Sequence, residues 1–168
     1  MILARAILAL LAASLLGGCY TLGETKPSMM RGISSLSVPV SRNQTLEPNV
    51  EALLADTIIK QIQSDGTYSI NYSDRADAVV NTTLSQVTRY PARSVRGNIL
   101  ATSEYVLSTT IDYQVNEQST GRELMKGQVN GLTSFFVTAD IQTDESQAMP
   151  LAFADAAVKL TSRLSEGF

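Results

Sequence analysis

The residue with the clearest chemistry is Cys19, the only cysteine in the 168-residue chain. It follows Leu16-Gly17-Gly18 at the end of an apolar segment whose single charge is Arg5. This is the arrangement of a secretory signal peptide with small residues at its cleavage site, and a thiol at that point can take a diacylglyceryl group. The sequence therefore predicts that residues 1–18 are a lipoprotein signal peptide and that Cys19 becomes an acylated N-terminus.

A transmembrane anchor is the alternative interpretation, because no charge occurs from Ala6 to Gly23 and such a run is just long enough to span a bilayer. The glycines and Thr21 in its last third disfavour a spanning helix. Acyl chains anchor a protein without one, at about 0.8 kcal/mol per buried methylene. Tyr20 stands where an Asp would retain a lipoprotein in the inner membrane. We therefore expect a lipid-anchored protein on the periplasmic side of the outer membrane.

The composition gives little support for catalysis. Histidine is absent, which removes the usual general base and the commonest metal ligand. A lone cysteine allows neither an internal disulfide nor a thiolate metal cluster, and the sequence contains no Gly-rich phosphate loop or calcium-binding pattern. We therefore expect a protein that is not an enzyme and binds no cofactor and no metal. A small hydrolase using only Asp, Glu, Lys or Tyr is the least favoured class.

Length and charge indicate one acidic domain. Removal of residues 1–18 leaves 150 residues, enough for one compact core. Because Arg5 is lost with the leader, 12 Lys and Arg remain against 16 Asp and Glu. This balance does not indicate a nucleic-acid partner.

The first elements of the domain follow from periodicity. Residues 19–32 read as a lipidated tether with little pattern, so order is expected from about Ile33. Apolar residues alternate from there to Val40, which predicts a strand with one buried face. The i, i+3, i+4 pattern that follows predicts an amphipathic helix with Pro48 in its first turn and Gly66 at its end.

Period-two patterns predict the later strands. They are Tyr68–Tyr72, Ala78 to about Arg89 with Pro91 ending it, Tyr105–Val115, and Glu123–Asn130 with 132–137 as an extension. A last helix is predicted from about Thr143 to Leu164, either kinked or beginning at Pro150. The fold class is therefore α+β: a two-layer sandwich with two helices packed on one face of a four- to five-stranded mixed, mostly antiparallel sheet, over residues 33–168.

Several stretches resemble the lipopolysaccharide-assembly lipoprotein family, LptE. They are the acylated Cys19-Tyr20-Thr21-Leu22, the first strand and turn over 33–45 leading into Glu47-Pro48, and residues 75–91, 120–127 and 140–168. Together they cover most of the mature chain. The family often has Gly-Tyr after the cysteine, whereas here Tyr20 follows it directly.

The resemblance implies a two-helix sandwich that sits as a plug inside a large outer-membrane β-barrel, LptD. Such proteins help to assemble that barrel and take part in delivering lipopolysaccharide to the cell surface. The Ser/Thr-rich face of the strand Tyr105–Val115 would suit the polar lumen of a barrel.

The candidate ligand contacts are Arg89, Arg93 and Arg96, which lie in a stretch without acidic residues from Ala78 to Ser103. A guanidinium group suits bidentate binding of phosphate, and the lipid A part of lipopolysaccharide carries phosphates. We expect these arginines on a proline-containing loop that contacts lipopolysaccharide. The alternatives are a solvated basic loop or one that pairs with acidic residues of the barrel wall.

A second function class remains open from the sequence. A periplasmic regulatory or adaptor lipoprotein of a peptidoglycan-synthase or secretion assembly can begin its sandwich with a similar strand and turn, here Val38 to Thr45. Such a protein would bind an inner-membrane enzyme or a secretion assembly in place of an outer-membrane barrel.

Overall fold

The computed structural model describes residues 26–95, 98–138 and 140–167, and between 94 and 103 it describes backbone alone. Cys19 and Arg96 lie outside the described residues. The strands are β1 (Ser35–Ser37), β2 (Arg42–Asn43), β3 (Ser69–Ile70), β4 (Ala78–Val95), β5 (Asn98–Glu117) and β6 (Glu123–Phe136), and the helices are α1 (Glu51–Asp65) and α2 (Ile141–Ser165).

The six strands form one mixed sheet in the order β3-β1-β4-β5-β6, with β2 beside β4 further along its length. The long pairs β4–β5 and β5–β6 are antiparallel. The short pairs β1–β3, β1–β4 and β2–β4 are parallel. The predicted α+β sandwich is thus confirmed, with one or two more strands than expected.

The first strand is shorter than predicted and does not have one buried face. All three residues of β1 are buried, whereas Val40 is exposed. The physical reason is that β1 lies inside the sheet, between its two parallel neighbours β3 and β4. The hydroxyl of Ser35 donates to the carboxylate of Asp77, and the hydroxyls of Ser37 and Ser73 share a hydrogen bond.

Pro48 does not lie in the first turn of α1, so that prediction was wrong. The helix begins at Glu51, because Asn49 takes a left-handed conformation with φ 58° that cannot belong to a right-handed helix. Gly66 ends the helix as predicted, with φ 79°, and its N–H donates to the carbonyl of Ile62.

Pro91 does not end β4, which continues to Val95. Beyond the pairing of Asn43 with Leu84, no described strand flanks β4 on the side away from β5. A residue without an N–H is tolerated at such an edge. The pairing with β5 shifts register directly after Pro91. The last strand, β6, is one continuous element over both predicted pieces.

The last helix begins well before Pro150, so of the two alternatives the start at this proline is wrong. Asp140 caps the helix, since its carboxylate accepts hydrogen bonds from the backbone N–H of Gln142 and the hydroxyl of Thr143. These bonds, the Thr143 hydroxyl foremost, lower the pKa of Asp140. Pro150 removes the helical donor to the carbonyl four residues earlier.

The two helices pack against each other, and α2 lies over β5 and β6. Their shared core contains the fully buried Phe153, Leu160, Leu54 and Ile58. Met30, in a 3₁₀ turn over Ser28–Met30, is also fully buried in this core. Packed structure therefore begins a few residues before Ile33, the expected start of order.

The outer edge of β6 is closed by side chains of α2. Asp155 accepts a hydrogen bond from the N–H of Leu132, Lys159 donates to the carbonyl of Asn130, and Arg163 donates to that of Gln128. Desolvation raises the pKa of Asp155, but its bonds from Lys159 and Leu132 outweigh this and lower it. The three side chains occupy backbone groups that would otherwise be open to another strand.

Close contact between α2 and β6 depends on Gly131. A Cβ atom at this position would lie 2.0 Å from the carbonyl oxygen of Ala152 and 2.9 Å from the Cβ of Ala156. Only glycine allows the helix backbone to approach the strand this closely.

Candidate functional site

The face of β4, β5 and β6 opposite the helices carries hydrophilic side chains in ordered rows. Residues directly opposite each other on neighbouring strands project to the same face. One row is Asn81, Gln114 and Lys126, and the next is Thr83, Asp112 and Gln128. We call this surface the open face. Its polar half on β5 is the face that the alternation in the sequence predicted.

A trough of about 600 Å³ lies on the open face at these two rows. Its lining residues are Arg42, Asn81, Thr83, Asp112, Tyr113, Gln114, Glu123, Lys126 and Gly127. Two of the lining side chains are basic and two are acidic, so the formal charge of the trough is balanced.

Hydrogen bonds between neighbouring strands hold part of the trough lining in place. Gln114 donates to the carboxylate of Glu123 at 2.8 Å, and Lys126 lies 3.2 Å from the other oxygen of that carboxylate. Gln128 donates to Asp112 at 2.8 Å.

Three other lining side chains make no hydrogen bond within the part of the chain that the structure describes. They are the guanidinium of Arg42, the amide of Asn81 and the hydroxyl of Thr83. The trough thus combines fixed polar groups with hydrogen-bonding groups that a ligand can engage.

The other end of the open face, towards the β4–β5 connection, carries a group of large apolar side chains. Tyr90, Leu132 and Phe136 are 53, 50 and 60 % exposed, and the half-buried Val106 lies between them. The register places Tyr90 opposite Val106 and Phe136 opposite Glu104. We call these four residues the distal patch. A group of large apolar side chains on one sheet face is a typical contact surface.

The structure places Arg89 and Arg93 on strand β4 and not on a loop, which corrects that part of the prediction. Arg89 lies opposite Leu107 on the face that the helices cover, whereas Arg93 lies opposite Glu104 on the open face. The two guanidinium groups therefore point to opposite sides of the sheet. They do not form one cluster.

Acidic partners reach both arginines from other elements. Arg89 Nη1 lies 2.7 Å from Glu145 Oε2 on α2, and Arg93 Nε lies 3.5 Å from Glu104 Oε2 on β5. The stretch from Ala78 to Ser103 contains no acidic residue, but the fold brings acidic residues of other elements next to its arginines. Arg93 keeps 70 % of its side chain exposed, against 44 % for Arg89.

Glu145 is a buried carboxylate whose role the sequence did not reveal. It lies one turn into α2, and its side chain is only 8 % exposed. Burial raises its pKa, because desolvation exceeds the attraction of Arg89 and the charge of Glu47 adds repulsion.

The sequence comparison decides the family. The model of the lipopolysaccharide-assembly family LptE matches residues 33–164, which is most of the chain. The protein belongs to the LptE family. No curated protein sequence matches the chain.

Solved structures share the fold of this LptE family member at low sequence identity. A dodecameric PelC variant from Paraburkholderia phytofirmans has a TM-score of 0.52 at 14 % identity, covering 83 % of this chain and 94 % of that one. For a minor lipoprotein from Acinetobacter baumannii the TM-score is 0.51 at 13 % identity, covering 79 and 93 %. The hypothetical protein CT253 from Chlamydia trachomatis gives 0.56 at 10 %, covering 79 and 96 %. At these identities the likeness shows the fold alone.

No described helix of the LptE family member is long and apolar enough to cross a membrane. Among the same residues no three His, Cys, Asp or Glu side chains are grouped so that they could hold a metal ion.

Proposed function

We propose that this LptE family member is a non-catalytic outer-membrane lipoprotein that plugs and helps to assemble an LptD-type β-barrel in the transport and insertion of lipopolysaccharide. The match of the family model over residues 33–164 carries the proposal. The partnership with LptD comes from what is expected of the family.

The asymmetry of the domain supports a plug. Both helices cover one face of the sheet, and the other face of β4, β5 and β6 presents hydroxyl, amide and charged side chains. The lumen of a transmembrane barrel is polar. A domain with a large hydrophilic sheet face can therefore sit inside such a lumen, whose polar groups can pair with the charges on that face.

Attachment through Cys19 completes the proposal. Six residues lie between Cys19 and Lys26, the first described residue, and these seven residue steps can span at most roughly 25 Å. The domain would thus lie close to the membrane that holds its acyl chains. Cys19→Ala should block processing and acylation in the native host, and mass spectrometry showing an unmodified Cys19 in the wild type would contradict this.

Contact with lipid A phosphates through Arg89, Arg93 and Arg96 stays a prediction. Arg93 is the described arginine best placed for it, because it lies on the open face and keeps most of its side chain in solvent. Arg93→Glu should weaken binding of lipopolysaccharide by the purified protein, and added salt should weaken the wild type likewise. Arg75→Glu, an exposed charge in a turn, is the control.

Co-purification tests the main proposal. The affinity-tagged full-length protein, extracted with detergent from outer membranes of the native host, should carry a large β-barrel protein in a one-to-one complex. Depletion of the protein should lower the amount of folded barrel and of surface lipopolysaccharide. Recovery of an inner-membrane synthase or a secretion assembly without any barrel would favour the adaptor function and reject the proposal.

A further inference from the structure

We propose that the trough on the open face binds an uncharged, hydroxyl-rich saccharide. The inference rests on the proposed function, because the saccharide in question is the sugar part of the lipopolysaccharide that passes the protein. It assigns this contact to residues distinct from the arginines that were predicted to contact phosphate.

The chemistry of the lining favours sugar over phosphate. Arg42 and Lys126 are balanced by Asp112 and Glu123, so the trough has no excess of positive charge to attract an anion. Planar amide and carboxylate groups can each bond two neighbouring hydroxyls. Amide groups of this kind line the trough on adjacent strands, at Asn81 and Gln114.

The fixed part of the lining reduces the cost of ordering side chains on binding. Gln114 and Lys126 share the carboxylate of Glu123, and Gln128 holds Asp112, so these groups keep their orientation when the trough is empty. Arg42, Asn81 and Thr83 supply the additional donors and acceptors. Three strands about 4.8 Å apart and two rows of residues give a surface of roughly 10 by 7 Å, which accommodates a short oligosaccharide.

The position of the trough separates it from the apolar end of the same face. Asn81 and Gln114 lie at the trough, whereas Tyr90 and Val106 belong to the distal patch, eight or nine residues further along their strands. A sugar and a hydrophobic group can therefore bind to separate surfaces of the open face, the sugar at the trough and the hydrophobic group at the distal patch.

The test measures binding of two sugars and one anion to the purified full-length protein in detergent. The probes are a neutral hexose oligosaccharide from the outer core of lipopolysaccharide, free of lipid A, acidic sugars and phosphate, a soluble disaccharide from peptidoglycan, and inorganic phosphate. We expect binding of the neutral oligosaccharide that is insensitive to salt and is not displaced by phosphate.

The variant Asn81→Ala/Gln114→Ala should weaken this binding at least tenfold. The control variant Gln86→Ala/Thr110→Ala removes an opposite pair of polar side chains on the same two strands, outside the trough, and should bind normally. Thermal melting of both variants checks that the fold is intact.

Three outcomes would overturn the inference: no binding of the oligosaccharide by the wild type, equal binding by both variants, or preference for phosphate or for the peptidoglycan sugar. Co-purification of the barrel with Asn81→Ala/Gln114→Ala keeps the two proposals apart. If this variant retains the barrel but binds oligosaccharide normally, the trough assignment fails and the proposed function stands. If the wild type brings down no barrel, the proposed function fails whatever the trough binds.

Discussion

Single carboxylate side chains form hydrogen bonds between parts of this chain that lie far apart in the sequence. Asp77 is the main example. One of its oxygens accepts the backbone N–H and the hydroxyl of both Ser34 and Ser35 at 2.8–2.9 Å, which ties the start of β1 to the start of β4. These bonds, led by those from Ser34, lower the pKa of Asp77 from 3.8 to about 2.

Asp77→Asn should therefore destabilise the protein by about 1–2 kcal/mol at pH 7, an estimate reduced for the partial exposure of the group. A lowered pKa in the folded state means that the ionised form stabilises the fold above about pH 4, and that this contribution is lost as the pH falls towards 2. Urea unfolding at several pH values should show a shallower acid loss in the variant. Asp74→Asn, an exposed carboxylate in the neighbouring turn, should change neither property.

Removal of Arg89 and removal of Glu145, its buried partner, should have different effects on stability. Arg89→Ala leaves the desolvated carboxylate of Glu145 without its partner and should lower the free energy of unfolding by about 1–2 kcal/mol. The loss is limited because Arg89 is half exposed, so water can take part of its place. Glu145→Gln removes the group whose ionised form folding disfavours, so it should be neutral or stabilising near pH 7. The wild type should gain stability from this site as the pH falls through the raised pKa, and the Gln variant should not. Equal losses in both single variants would show that the ion pair is net favourable.

Among the elements, contact between α2 and β6 depends on one missing side chain. Gly131→Ala would place a Cβ atom 2.0 Å from the backbone oxygen of Ala152, so the helix would have to move away from the strand. We expect a loss of at least about 2 kcal/mol, at the upper end of overpacking effects. Ser134→Ala, at an exposed position of the same strand, should have little effect. A normal melting temperature for Gly131→Ala would contradict the close approach.

The sequence correctly predicted elements that follow from a local pattern of residues. It failed where the length of an element depends on which strands lie beside it in the sheet. The alternation over Tyr105–Val115 predicted this strand correctly, because successive side chains of β5 alternate between the same two faces of the sheet along its length. The first strand was predicted too long, since the pattern does not reveal that β1 has parallel partners on both sides. Pro91 was interpreted as a strand end, because the sequence does not show that no described strand flanks this part of β4 on the side away from β5.

The candidate sites divide in the same way. The polar side of β5 was visible in the sequence, with Asp112 and Gln114 on it. The trough was not, because it needs the register that brings Asn81 and Lys126 beside them. The arginines were grouped by sequence distance, whereas the strand places Arg89 and Arg93 on opposite faces. The only sign in the sequence of a carboxylate that could pair with Arg89 was the position of Glu145 near the start of α2.

At the scale of the whole molecule, the open face combines a polar trough with the distal patch. In the proposed plug, both surfaces would face either the barrel wall or the contents of the lumen. We expect the distal patch to contact the barrel wall. Leu132→Ser/Phe136→Ser should therefore leave the melting temperature nearly unchanged, because both side chains are at least half exposed, while barrel co-purification falls strongly. Leu151→Ser/Val158→Ser, two exposed apolar residues on α2, is the matched control and should retain the barrel. Loss of the barrel with the control alone would place the contact on the helical side.

The closure of the β6 edge by α2 has a consequence for biosynthesis. The closing groups Asp155, Lys159 and Arg163 belong to the last helix, so a nascent chain completes its sheet well before it can cover the edge. Until then the edge can pair with another nascent chain. A product that ends at Thr138 should therefore elute as oligomers in size-exclusion chromatography, and a monomer would contradict this. Premature termination before Arg163 is thus expected to yield a self-associating by-product.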